Sequence, residues 1–379
     1  MSLFLAAPAS AETKPVKIGD MCAYTAFASE CAYYRKGWEQ AVREINAKGG
    51  LLGHPVEVIS RDHGDTPQQG VLVATDLVER EKVDVLAGTV LANVTNAIAN
   101  YTGNKKFPLV TLWNTLPASD GKQNDDMFSI MSTESQSMAA ADFAATLKAK
   151  KWATIAPNFA YGHTSVELFK NRLKKLRPDV EFVTERWPTV NKIDADNEVA
   201  ALEQAEPDAI FSTLFASDLS AFVRAGNRRN LFDHKIVLGQ EMGERIYTRV
   251  IGKELKGAWY AAGDPSPYAK DPQSTFFADY RKQFGDDPQM YTYAGYLLYK
   301  FIFAAVEKAG STAPDKISKA LEEVEIPTPM GKISMNPQNH RSNFGVWIGR
   351  LQPTKDGADL VDWEYKDAGP YLGSAVAGK

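Results

Sequence analysis

Hydrophobic and polar positions alternate along this chain in two rhythms that take turns. Short β-branched runs predict strands at Val16–Asp20, Val56–Ser60, Asp84–Gly88 and Pro108–Leu112. Amphipathic stretches between them predict helices at Lys36–Lys48, Gln68–Glu81 and Asn93–Asn104. A strand at Met127–Met131 ends this unit and the rhythm restarts. Helices at Ser135–Ala149, Thr164–Leu176, Asp194–Ala205 and Ser217–Arg228 now alternate with strands at Trp152–Pro157, Val180–Glu185, Asp208–Thr213 and Lys235–Gly239. Two successive doubly wound, parallel α/β units follow from this pattern. Three helical stretches (Gln273–Phe284, Tyr291–Lys308, Asp315–Glu323) and two strands (Gly331–Met335, Phe344–Leu351) break the alternation, as if the chain returns to lobes already built.

A length of 379 residues exceeds what one core usually organises, which agrees with two lobes. The net charge of −4 leaves no basic footprint for nucleic acid. The one cationic run, Lys170 to Arg177, interleaves with Phe169, Leu173 and Leu176 and reads as the solvated face of a helix. No apolar run is long enough to span a bilayer. Residues 1–13 begin MSLFLAAPASA and end that run in the small-x-small pattern of a signal-peptidase site, so a shortened export leader cut near Ala11 and residence in the periplasm are expected. No cysteine follows, so a free protein rather than a lipid-anchored one is expected. Cys22 and Cys31 are the two cysteines; in an oxidising compartment they close a small loop, and otherwise they are buried thiols.

Catalytic signals are poor. The five histidines share no ligand spacing with one another or with the cysteines, so neither a metal nor a cofactor is expected. No G-x-S-x-G elbow or phosphate loop is present, and Gly49 follows a helix, where it serves as a left-handed C-terminal stop. Binding signals are clearer, because ligands of open α/β units collect at the carboxyl ends of strands beside helix N-termini. Those places carry Asn93 and Thr95, then Trp113, Asn114 and Thr115, and in the second unit Phe159 and Tyr161, Phe215 and Asp218, and Glu241. Hydroxyls and amides beside helix starts suit a carboxylate. An enzyme is not expected.

The segment Gly37 to Gly53, with Ile45-Asn-Ala-Lys-Gly-Gly50 at its centre, and the pair Tyr161-Gly162 resemble the type I periplasmic binding proteins of the branched-chain amino acid (Leu/Ile/Val) transporter family. The resemblance implies a two-lobed clamshell with three hinge crossovers. Lobe one would comprise 14–132 and 264–339, and lobe two 133–263 and 340–379. It implies a monomeric extracytoplasmic protein that carries a small-molecule carboxylate to an ABC transporter permease; a metabolite-sensing regulator of the same fold is the alternative. It places carboxylate contacts on Trp113, Asn114 and Thr115, a lost serine at Ala92 beside Asn93, covering aromatics at Tyr161 and Phe215, and an acid at Glu241. Tyr24 and Phe27 would face the cleft. Trp113 with Tyr24, Tyr161 and Phe215 would form an aromatic slot, so an aromatic carboxylate of benzoate or nicotinate type ranks slightly above a branched-chain amino acid.

Overall fold

The computed structural model describes residues 14–114, 123–264 and 275–372. The leader, Thr115 and the last residues of the chain lie outside the described residues. Lobe one is built on a five-stranded sheet in which β1 (Val16–Cys22), β2 (Val56–Asp62), β3 (Val85–Gly88), β4 (Leu109–Asn114) and β5 (Met127–Ser132) pair in parallel in the order β2-β1-β3-β4-β5. Every residue of β3, β4 and β5 is buried, which is why these strands read as unbroken apolar runs rather than as alternation.

Lobe two is built on a seven-stranded sheet. Its parallel part contains β6 (Lys151–Ile155), β7 (Glu181–Arg186), β8 (Ala209–Ser212), β9 (Ile236–Gly243) and β10 (Ala258–Gly263), in the order β10-β9-β8-β6-β7. β13 (Val346–Thr354) then adds antiparallel to β10, and β14 (Gly357–Lys366) antiparallel to β13. A small ladder of β11 (Glu325–Thr328) and β12 (Gly331–Ser334) completes the strands. Both parallel cores reverse their strand order beside their first strand, at β1/β3 and at β6/β8, and those reversals open crevices at the strand ends.

The helices are α1 (Ala28–Ala47), α2 (Pro67–Thr75), α3 (Ala92–Lys105), α4 (Thr133–Ala145), α5 (Ala160–Leu176), α6 (Ala195–Gln204), α7 (Ala216–Arg228), α8 (Arg245–Ile251), α9 (Thr275–Phe284), α10 (Met290–Ala309) and α11 (Pro314–Leu321). Helix α1 begins eight residues earlier than its amphipathic pattern predicts, because Cys31 and Tyr34 extend its buried face. Lys48 closes it, and Gly49 follows at φ 100°, in the left-handed region expected of the stop. The stretch predicted as one helix over Gln68–Glu81 is α2 followed by a π-helical turn at 76–80.

The helical third of the chain does return to lobe one, where α10 lies along α1. Their backbones approach so closely at two glycines that a Cβ on Gly37 would sit 2.0 Å from the Thr292 carbonyl oxygen, and one on Gly295 2.7 Å from Tyr34. Trp38 stacks on Tyr299 beside this crossing, with centroids 5.6 Å apart, a contact contributing about 0.5–1.5 kcal/mol. Ahead of α10, the Asp264 carboxylate accepts the Met290 N–H at 2.8 Å and the Arg245 N–H, and so joins the first turn of α10 to that of α8 at a point where the chain passes between lobes. Cys22 and Cys31 are bonded to each other, tying the end of β1 to the first turn of α1.

Candidate functional site

A cleft cavity lies where the two sheet reversals face each other. Lobe one contributes Phe27 from the turn after β1, Val90, Leu91 and Ala92 from the start of α3, Trp113 from the end of β4, and Tyr291 from the first turn of α10. Lobe two contributes Phe159 and Tyr161 after β6, Phe215 after β8, Glu241 at the end of β9, and Tyr247 on α8. The enclosed space is about 50 Å³, room for a few water-sized groups, so the lobes stand close together. A larger open hollow on lobe one, around Gly103, Asp126 and Ser318, lies at the opposite end of α3 and, among the described residues, is lined by lobe one alone.

Rings dominate the walls. Trp113 meets Tyr161 edge to face at 6.4 Å, Tyr161 meets Phe215 at the same separation, and Phe27 reaches Phe215 across the cleft at 6.0 Å. Phe159 closes the set against both Tyr161 and Phe215. The Trp113 indole N–H is spent on Thr133 Oγ1 at 2.9 Å, which fixes the ring and leaves its carbon surface to the cavity. At the lobe-one end, Leu91 precedes α3 without a side-chain cap, so the first-turn N–H groups of that helix have no oxygen from its own cap residue.

Polar chemistry concentrates at the lobe-two end. The Tyr161 hydroxyl donates to Glu241 Oε1. Burial is the main force on Glu241, and with the nearby Glu30 it pushes that carboxyl up to about 7 against the relief given by Tyr161. One turn on, Glu244 is 1% exposed and is pushed well above the ordinary carboxyl range by burial, then by Glu241, Asp264 and Glu30. Tyr247 donates to Glu30 Oε1 at 3.0 Å, a bond that spans the cleft from α8 to α1. Among the described residues, no lysine or arginine lines the cavity, and no group of histidines, cysteines and acids is arranged to hold a metal.

Of the residues expected from sequence, Ala92, Trp113, Tyr161, Phe215 and Glu241 meet at this cavity, together with Phe27 and Phe159. Tyr24 does not, which corrects the expected slot. Its hydroxyl donates to Asp20 Oδ2 at 2.6 Å and Arg35 lies over its ring, so it is anchored within lobe one. Asn93 is exposed on α3, because one step along a helix from the buried Ala92 turns the side chain about 100° away. Asn114 is buried at the end of β4 but is not part of the lining, and Asp218 accepts the Asn191 N–H instead of facing the cleft. Thr115 lies outside the described residues. Sequence reasoning missed Tyr247, Tyr291, Glu30 and Glu244. Tyr291 opens one of the helices of the returning third of the chain, Glu30 and Tyr247 lie on α1 and α8, and Glu244 is the N-cap of α8; only the tertiary crossing brings these positions together.

A two-lobed doubly wound body with its cavity between strand ends is the architecture of a type I periplasmic binding protein, and the periplasmic binding protein family model matches residues 15–358. The chain belongs to that family. It is 24% identical over 344 residues to an amino acid binding protein of Pseudomonas aeruginosa, covering 89% of this chain and 86% of that one. Its backbone superposes on an ABC transporter solute binding protein from Rhodopseudomonas palustris, solved in complex with p-hydroxybenzoic acid, with a TM-score of 0.81 at 20% identity, covering 96% of this chain and all of that one. A branched-chain amino acid transporter substrate binding protein from Streptococcus pneumoniae, solved with isoleucine, gives a TM-score of 0.77 at 19% identity, covering 93% of this chain and all of that one.

Proposed function

We propose that this chain is an extracytoplasmic solute-binding protein that captures a small aromatic carboxylate between its lobes and delivers it to an ABC permease. The observation that carries the ligand class is the ring set supplied from both sides of one cavity, Trp113 and Phe27 against Tyr161 and Phe215. A flat ring gains about 0.5–1.5 kcal/mol from each such partner beyond its buried area. The uncapped start of α3, at Leu91 and Ala92, offers backbone N–H groups to the carboxylate. The relative from R. palustris that holds p-hydroxybenzoic acid supports the same reading.

Capture would begin on lobe one, and lobe two would then swing Tyr161, Phe215 and Glu241 over the ligand, pivoting on the crossings near Ser132, Asp264 and Asn339. Closure of this kind is a population shift, so the ligand must favour the closed form over the open one. A branched-chain amino acid is the second reading. Glu241, buried and facing the cavity, would accept its ammonium group, and the S. pneumoniae relative holds isoleucine. Native mass spectrometry of the purified protein, followed by thermal-shift measurements with benzoate, 4-hydroxybenzoate, nicotinate and leucine, separates the two. Stabilisation by the ring acids supports the proposal; stabilisation by leucine alone overturns its ligand class.

A further inference from the structure

The chain leaves the lobe-one sheet at Ser132 and passes directly into α4, which packs on α5 of lobe two. The first turn of α4 is polar and buried: of Thr133, Glu134, Ser135, Gln136 and Ser137, none is more than 4% exposed. Three of these side chains reach the elements that wall the cleft cavity. Thr133 Oγ1 accepts the Trp113 indole N–H at 2.9 Å. Gln136 Nε2 lies 3.6 Å from the sulfur of Met290, the neighbour of Tyr291. The Ser137 hydroxyl donates to Gln240 Oε1 at 2.9 Å. Neighbouring side chains of a strand point to opposite faces, so on β9 Gln240 turns to α4 while Glu241 turns to the cavity. Thr133, Gln136 and Ser137 are not part of the lining themselves.

The turn is fixed from its own side as well. Ser132 caps α4, its hydroxyl oxygen accepting the Ser135 N–H at 3.2 Å and lying 2.9 Å from the Ser135 hydroxyl. Thr133 is therefore a held point directly behind the Trp113 wall. Because Thr133 belongs to α4 and Trp113 to β4, their bond joins the lobe-one wall of the cavity to the helix that enters lobe two.

We propose that Thr133 is a positioning residue for ligand capture: its hydroxyl holds the Trp113 indole in the orientation that presents ring carbon to the cavity, and so sets affinity without touching the ligand. The proposal rests on the reading of this cavity as the solute site. An indole has a single donor, its N–H, and a buried donor that loses its acceptor is costly to leave unmet. Without the Thr133 oxygen the ring is free to turn its N–H edge elsewhere, and binding must order it again. Immobilising one side chain anew weakens association by roughly three- to tenfold.

Thr133→Val keeps the branched shape and removes the oxygen, whereas Thr133→Ser keeps the oxygen. Proton–nitrogen correlation spectra of the full chain separate the indole signals of its 7 tryptophans, and the Trp113 signal is assigned by its loss in Trp113→Phe. In the ligand-free wild type this proton is expected to exchange slowly with solvent. In Thr133→Val the signal should shift and its exchange quicken, and in Thr133→Ser both should return to wild-type values. Isothermal titration with 4-hydroxybenzoate and with leucine should give dissociation constants roughly three- to tenfold higher for Thr133→Val, restored in Thr133→Ser. Unchanged indole exchange or unchanged affinity in Thr133→Val overturns the positioning role. So does a Thr133→Ser chain that loses as much affinity as Thr133→Val, which would assign the effect to packing rather than to the oxygen. If the wild type binds leucine alone, the ring-acid reading fails and the positioning role is judged on leucine. If the wild type binds neither probe, the solute reading and the role built on it fall together.

Discussion

The hydroxyl of Tyr247 on lobe two reaches Glu30 Oε1 on lobe one at 3.0 Å, so a hydrogen bond joins the two halves beside the cleft cavity. Both groups are buried and stand on α1 and α8, elements of opposite lobes, so parting the lobes would break the bond. Tyr247→Phe removes the donor and keeps the ring. A hydrogen bond to a charged group contributes about 1.5–3 kcal/mol, so ligand dissociation constants should rise roughly ten- to a hundredfold. Isothermal titration of both forms checks this; equal affinities would show that the clasp carries no closing energy.

Thermal stability should depend on pH through the buried acids of the cleft. Burial raises Glu241 to about 7 and Asp264 to about 6, above the values both have in an unfolded chain. A carboxyl whose value is raised by folding contributes its full stability below the unfolded value, and that contribution is lost as pH rises through the folded one. The midpoint should therefore fall by a few degrees between about pH 5 and about pH 8. Glu241→Gln should flatten the fall, as read by calorimetry, and an unchanged slope would contradict the assignment.

The crossing of α1 and α10 should tolerate no side chain at Gly37. A Cβ there meets the Thr292 carbonyl oxygen at 2.0 Å, and that atom belongs to backbone that cannot swing aside. Gly37→Ala is expected to cost about 1–3 kcal/mol in denaturant unfolding, whereas Gly49→Ala, with open space around its Cβ, should cost only the strain of its left-handed backbone. Equal losses at the two positions would contradict the close approach of α10 to α1 at Gly37.

Opening the Cys22–Cys31 bridge should loosen the start of α1, where Phe27 at the N-cap lines the cleft and Glu30 accepts the Tyr247 hydroxyl. On the loop-entropy model a bridge over a separation of 9 residues contributes ~2–3 kcal/mol. The Cys22→Ser, Cys31→Ser double variant should lose about that much in denaturant unfolding and bind ligand more weakly. Unchanged unfolding would show that packing alone holds the turn.

Most of the fold was legible because its strands are apolar and its helices amphipathic. The elements missed have physical reasons to hide. β10 reads Ala-Trp-Tyr-Ala-Ala-Gly, with no β-branched residue, and β14 is a largely polar strand at the sheet edge. α8 has only 7 residues. At the site, Trp113, Tyr161, Phe215 and Glu241 could be picked out because topology puts strand ends at the crevice. The choice between Tyr24 and Phe27 could not be made, since both lie in one turn and only the Asp20 carboxyl decides which ring stays behind. Glu30 lies on α1, Tyr247 on α8 and Glu244 at the N-cap of α8, and the meeting of those elements across the cleft leaves no local signal.

Closure of the ring-lined cleft on an aromatic acid is tested most directly by isothermal titration of the purified protein with 4-hydroxybenzoate, beside leucine. The account predicts saturable binding of the ring acid tighter than that of leucine, weakened about tenfold by Trp113→Ala through loss of one ring partner and its packing. Tighter binding of leucine, or ring-acid affinity unchanged by Trp113→Ala, would contradict it.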